Sequence, residues 1–417
     1  MSIRVNIPNT RCRAGSTISG TVSIHGEEDL DVQFIAISLV ARCKTKIRKT
    51  QNRNAYIYRG RVALFHARKE LFTGPHTLHP GHSWPFSFTL PLRCAAIEVD
   101  PFKQTVGPFN VDRQQTLPPA FKSENHSFDS AECFISYQLE ATLVRSRTKL
   151  LSSGRFDATR DLDFTTSRNI DNPEPQLTTK RWPIICSSLH LEPGREYEKL
   201  SFKDKMKSMR TSKLPTAKFT IKTRLPSLGV VNKNLTIILS IDHDIEGSSA
   251  PAPPMVLLKK WSVYIKSFTH IRAIRNEIFS GDIERTWDES PNIASWDFSA
   301  QMAEAPLAEA PPITERMDLG QIMKLAVPSY YKPSFSTFNI RRFYKLGVRL
   351  TVECAQKTFK KDLGTSDFLL LAANYTPSDE VGVSGASTSN EVEDLVAPVY
   401  GAEPGVALPR YEDAKQA

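Results

Sequence analysis

Apolar and polar residues alternate with a period of two along most of this chain, which sends successive side chains to opposite faces of an extended strand. Ile3, Val5 and Ile7 alternate with Arg4 and Asn6. After a turn at Ala14-Gly15, Ile18, Val22 and Ile24 alternate with serine and threonine. Ile35, Ile37, Leu39, Ala41, Cys43 and Ile47 share one face of a long strand, and Trp84, Phe86, Phe88 and Leu90 form another between Pro80-Gly81 and Pro91. Cys133, Ile135, Tyr137, Leu139, Ala141 and Leu143 make a third. Short alternating strands separated by turn residues, with hardly any amphipathic helix, predict an all-β chain of antiparallel sandwich type.

The pattern stops around residues 166–182, where Pro173 and Pro175 punctuate a stretch without alternation. This reads as a connection between domains. Alternation resumes at Phe219, Ile221 and Leu225, continues through Leu235 to Ile241 and Trp261 to Ile265, and ends with Leu346 to Cys354. The boundaries that follow are a first sandwich over 1–165, a linker over 166–182, a second sandwich over 183–372 and a tail over 373–417. Residues 244–254 and 299–316 read as long surface loops. Ile271, Ile274 and Ile278 fit a helix face or a strand equally. The tail is rich in Ser, Gly, Glu and Pro and poor in large apolar groups, so it is expected to be disordered.

Composition agrees with this outline. The 417 residues, 40% hydrophobic and 24% charged, leave room for two or three domains and exclude wholesale disorder. Prolines (28) outnumber glycines (19), which argues against a helical bundle. The six cysteines lie far apart without a Cys-x-x-Cys pair, so buried reduced thiols are expected. There is neither a signal-type segment nor a run near the roughly 20 apolar residues that span a bilayer, and the chain reads as cytosolic. Eight acids against two bases give residues 373–417 a charge of −6, so the total of +9 leaves +15 on the body. A basic body favours anionic partners.

A family resemblance enters with three segments of the first half, AGSTISGTVSI, GPHTLHPGHSWPFSFTLP and ECFISYQLEATLVR. They resemble the amino-terminal domain of arrestin-like proteins. MDLGQIMKL and VPSYYKPSFSTFNIRRFYKLGVRLTVECAQKTFKKDL resemble the carboxy-terminal domain, particularly that of fungal α-arrestins. The resemblance implies two antiparallel immunoglobulin-like β-sandwiches and no active site. It also implies adaptor work at the plasma membrane or endosomes. Family members bring the cytoplasmic segments of membrane transporters or receptors to a WW-domain ubiquitin ligase for endocytosis.

Candidate chemistry is sparse. No Gly-x-Ser-x-Gly elbow, phosphate-binding loop or dinucleotide fingerprint occurs, and no enzyme activity, cofactor or metal is expected. His76, His79 and His82 have spacing that could suit zinc, yet they fall in a Pro/Gly-rich turn where polar residues simply face water. Two basic tracts stand out. Arg42, Lys44, Lys46 and Arg48 alternate opposite the apolar face of their strand, a row of cations about 6–7 Å apart with no acid between residues 42 and 61. Such a row suits an acidic or phosphorylated peptide, and an ordinary solvated strand face with self-repelling charges is the alternative. Lys203, Lys205 and Lys207 belong to a second tract, for which an anionic-lipid contact competes with a solvated loop.

In the tail, Leu408, Pro409 and Tyr411 form one x-Pro-x-Tyr string, and Pro398 and Tyr400 belong to another. WW domains take a proline in polyproline-II geometry with a tyrosine two residues later. Neither string has the full Pro-Pro-x-Tyr form. The leading expectation is a non-enzymatic adaptor; the alternatives are a ligase-independent, retromer-like sorting scaffold and a basic nucleic-acid-binding protein. The last is disfavoured because stacking aromatics are scarce among the cations.

Overall fold

The computed structural model describes residues 2–51, 53–95, 109, 112, 114–127, 129–145, 154–166, 176–196, 198–199, 201, 214–274, 282–297, 310–313, 316–322 and 324–372. The chain divides into a unit ending at Thr376 and a second unit over Pro377–Ala417. The first unit holds two hydrophobic cores, one centred in each of two lobes, and the first also takes in Ile271, Ala273, Trp287, Phe338 and Ile340 from across the seam.

The N-terminal lobe contains β1 (Ser2–Asn6), β2 (Arg11–Arg13), β3 (Thr17–His25), β4 (Leu30–Gln51) and β5 (Asn54–Leu78). It continues with β6 (Ser83–Thr89), β7 (Phe121–Asn125), β8 (Ala131–Arg145) and β9 (Arg155–Thr165). The C-terminal lobe contains β10 (Leu177–Ser187), β11 (Thr216–Pro226), β12 (Leu228–Val230), β13 (Ile238–Asp244) and β14 (Val256–Ile274). After β15 (Asp282–Glu289), β16 (Asn292–Asp297) and β17 (Met317–Asp318) comes the four-residue helix α1 (Leu319–Ile322). The lobe ends with β18 (Phe335–Ser336), β19 (Ile340–Cys354) and β20 (Lys357–Leu371). The all-β expectation holds: α1 and a three-residue 3-10 turn at Leu189–Leu191 are the helical pieces among the described residues.

In the first lobe, the sheet β1-β3-β6 packs on the β5-β4-β8-β9-β2 part of a 13-stranded sheet. In the second, β10-β11-β13-β17 packs on β12-β20-β19-β14. Both lobes are therefore two-layer sandwiches whose inner faces are filled by one register of alternating residues. Strand β8 alternates between buried and half-buried residues almost to its end, with Cys133, Ile135, Tyr137, Leu139, Ala141 and Leu143 inward. The Tyr137 hydroxyl is satisfied by the Pro118 carbonyl at 2.6 Å, and its ring stacks on Phe164. All six cysteines are buried free thiols, and burial pushes those of Cys94 and Cys133 up to about 12.

The large sheet runs through both lobes because Ile274 at the end of β14 pairs with Arg59 of β5. A buried polar joint reinforces the seam. Thr45 of β4 donates to the Arg272 carbonyl at 2.7 Å and accepts from Asn339 Nδ2 at 3.4 Å. Arg272 Nε donates to the Phe338 carbonyl at 2.6 Å. Gly60 passes beside this joint, and a Cβ there would lie 2.4 Å from Thr45 Oγ1.

Some boundaries differ from expectation. Leu177–Trp182, inside the stretch read as a linker, are already strand: β10 pairs with β11 over its full length, and Trp182 is buried. Residues 167–175 lie outside the described residues. β10 tolerates Pro183 because it is an edge strand, where a missing N–H need not break a ladder. Ile271 and Ile274 belong to a strand, and Ile278 lies outside the described residues. Residues 245–255 form a loop as expected. Within 299–316, however, Ala310 and Ile313 are buried against the second core, held by Leu258 N–H to Pro311 O and Ile313 N–H to Val256 O.

Candidate anionic-segment face

The cationic row sits on β4 because that strand keeps strict alternation through its second half. Ala41, Cys43, Thr45 and Ile47 face the core, while Arg42, Lys44 and Lys46 are half-buried on the opposite face and Arg48 is exposed. The neighbouring β5 adds cations to the same face. Arg61 lies directly across from Lys44, and Arg59 across from Lys46. Like charges directly opposed across a ladder are destabilising. The row thus becomes a two-strand grid of six cations.

The other neighbour, β8, supplies what the local sequence did not show. Glu132 is opposite Lys46, Phe134 opposite Lys44, and Ser136 opposite Arg42. Lys46 Nζ reaches Glu132 at 2.8 Å, and Arg42 pairs with Glu140. Among the described residues no carboxylate pairs with Lys44; its Nζ lies 5.2 Å from the Phe134 ring centroid, within cation–π range. Burial, and then the positive charges of Arg42 and Arg61, hold the Lys44 ammonium below its ordinary value, with Glu140 pulling the other way. Lys44 is consequently the centre of excess positive charge on the face, while Arg42 and Lys46 are partly neutralised.

The parity of Glu132, Phe134 and Glu140 was readable from the alternation of β8. Which strand β8 would lie beside, and in which register, was not. Lys203, Lys205 and Lys207 lie outside the described residues, as do Pro398, Tyr400, Leu408, Pro409 and Tyr411. In the histidine turn, His79 faces Asp29 at 2.5 Å and the His82 ring meets the His79 carbonyl at 2.9 Å. Among the described residues no group of three or more His, Cys, Asp or Glu side chains is placed to hold a metal ion.

Residues 1–98, which carry β1 to β6 and the whole cation grid, match the family model described as Arrestin (or S-antigen), N-terminal domain. The N-terminal lobe is arrestin-like. No curated protein matches the chain. An arrestin domain is in general an adaptor or scaffold module, and arrestin-family proteins are generally non-enzymatic. The two-sandwich body agrees with an arrestin-type fold. No helix among the described residues is long and apolar enough to cross a membrane.

Proposed function

We propose that this arrestin-like protein is an adaptor that links the cytoplasmic segments of membrane transporters or receptors to a WW-domain ubiquitin ligase for endocytic trafficking. The observation that carries the reading is the opposed cation pairs Lys44–Arg61 and Lys46–Arg59. An acidic or phosphorylated segment laid along the face would relieve their repulsion and add charge-assisted hydrogen bonds. The tail strings around Pro409–Tyr411 and Pro398–Tyr400 are the ligase contact in this reading, two weak sites that gain from effective concentration. Recruitment to the plasma membrane or endosomes is peripheral, with Lys203, Lys205 and Lys207 contributing attraction to anionic lipid.

One observation favours a second reading, a ligase-independent sorting scaffold: the sequence contains no Pro-Pro-x-Tyr. Proximity labelling in the native host, comparing the intact protein with a form lacking residues 374–417, separates the two. The adaptor reading expects ligase neighbours to vanish while transporter neighbours stay. Unchanged ligase labelling, or unchanged WW-domain pull-down by a Tyr400→Ala/Tyr411→Ala variant, removes the tail assignment.

A further inference from the structure

A cavity of about 480 Å³ lies between the lobes, walled on one side by β7 of the N-terminal lobe and on the other by β14, β19 and the segment before β18. Its innermost charge is positive. Arg342 is only 8% exposed, and its guanidinium lies between the rings of Phe121 and Tyr344, at 5.6 and 5.3 Å. Nη1 donates to Thr269 Oγ1 at 2.5 Å and Nε to the Tyr344 hydroxyl at 3.3 Å. The nearest carboxylate, Glu289, stands 3.7 Å from Nη2 and is 60% exposed. A guanidinium carries five N–H donors, so this fork is only loosely answered for a buried cation.

A second group points the same way. Tyr331 lines the cavity, is 5% exposed, and its hydroxyl makes no hydrogen bond of ordinary length among the described residues. Burial, followed by the neighbouring Tyr330, pushes its pKa up, so it stays a protonated donor. The Tyr344 hydroxyl, by contrast, is already committed to the Lys332 carbonyl at 2.5 Å. At the rim Lys122 closes on Glu124 at 2.5 Å, which leaves Arg342 and Lys332 against Glu289. The lining is largely aromatic: Tyr330 stacks on Tyr331 with centroids 4.7 Å apart, and Phe121 of β7 and Tyr344 of β19 also line the cavity.

We propose that this cavity binds a carboxylate or phosphate carried on a flat apolar body, with the anionic oxygens accepting from Arg342 and Tyr331 and the body held among Phe121, Tyr330 and Tyr344. A planar guanidinium fork matches either acid group bidentately. Because the walls come from both lobes, an occupant bridges them. The same chemistry is offered by a free aromatic acid or by a phosphotyrosine in a partner peptide.

The test titrates the full-length chain by ligand-observed NMR with benzoate, phenyl phosphate, inorganic phosphate and benzylammonium. Benzoate and phenyl phosphate are expected to bind, and the other two to bind at least about tenfold more weakly, the loss of one charge-assisted contact or of the apolar body. Tyr331→Phe keeps the ring and should weaken phenyl phosphate about tenfold without changing the far-UV spectrum. Arg342→Lys should weaken it further; if that variant fails to fold, Tyr331→Phe alone decides. A phosphotyrosine hexapeptide binding more tightly than phenyl phosphate supports a peptide-borne ligand, and equal or weaker binding supports a free acid. Benzylammonium binding as well as benzoate, no detectable binding of either acid, or Tyr331→Phe leaving phenyl phosphate affinity unchanged would each overturn the proposal.

Discussion

Replacing Thr45 by valine tests how much of the joint between the cation-bearing strand and the second lobe rests on one hydroxyl. Valine matches threonine in shape, so packing beside Cys43 and Ile47 is kept while two hydrogen bonds disappear. The Arg272 carbonyl loses its 2.7 Å donor, and Asn339 Nδ2 loses its 3.4 Å acceptor. Thr45 is 3% exposed and Asn339 fully buried, so water does not replace either bond in place. Asn339 Oδ1 has no partner among the described residues, which leaves this side chain little else to hold it. A buried group left unsatisfied costs about 1–3 kcal/mol, and the longer of the two bonds contributes the smaller share, so a loss of about 2 kcal/mol is expected. For a lobe of this size that corresponds to a fall of roughly 4–8 °C in the unfolding midpoint. Urea denaturation gives the energy, and hydrogen exchange at the amides of Arg272 and Asn339 shows whether the seam opens first. Thr45→Ser keeps the hydroxyl and should behave nearly as wild type. A Thr45→Val protein within about 0.5 kcal/mol of wild type, or equal destabilisation by both variants, would refute the assignment of stability to this hydroxyl.

Two further outcomes follow from the same geometry. Gly60→Ala places a Cβ 2.4 Å from Thr45 Oγ1 and 3.1 Å from the Arg272 carbonyl, so overpacking should destabilise by about 1–3 kcal/mol in urea melts; a neutral result would mean the seam yields easily. On the second lobe, burial raises the Asp362 carboxyl, but Arg349, the Gly364 N–H and Tyr264 outweigh it, so its pKa is held below the ordinary value. A carboxyl shifted down adds stability above its unfolded value, near 3.9, and loses it as pH falls through the folded value. Asp362→Asn should therefore flatten the decline in urea midpoint below about pH 4, and an unaltered acid limb would count against that role.

Period-two alternation made β4, β8 and β19 legible because each buries one face for most of its length, so parity and burial coincide at nearly every residue. It failed where a strand is exposed or its partner is distant. Leu177, Thr178 and Thr179 of β10 are all exposed, and only pairing with β11 makes them strand. Ala310 and Ile313 carry no pattern; they are buried by backbone bonds to β14. At the candidate face, the cations of β4 were readable from one segment, but Glu132 and Glu140 arrive from about 90 residues later through a register that no local signal encodes. The interlobe cavity joins Phe121 to Tyr331 and Arg342 and was not legible at all, since its chemistry exists only once the lobes meet.

Binding of an anionic segment to the β4–β5 cation grid can be read by fluorescence anisotropy of a labelled acidic phosphopeptide. Lys44→Glu with Arg61→Glu should reduce affinity at least tenfold at low salt, the loss expected from about two charge-assisted contacts, with an unchanged far-UV spectrum. Glu132→Gln with Glu140→Gln frees Lys46 and Arg42 and should tighten binding, an effect that shrinks as salt shortens the screening length. Equal affinity in wild type and the charge-reversed protein would mean that the grid does not hold the segment.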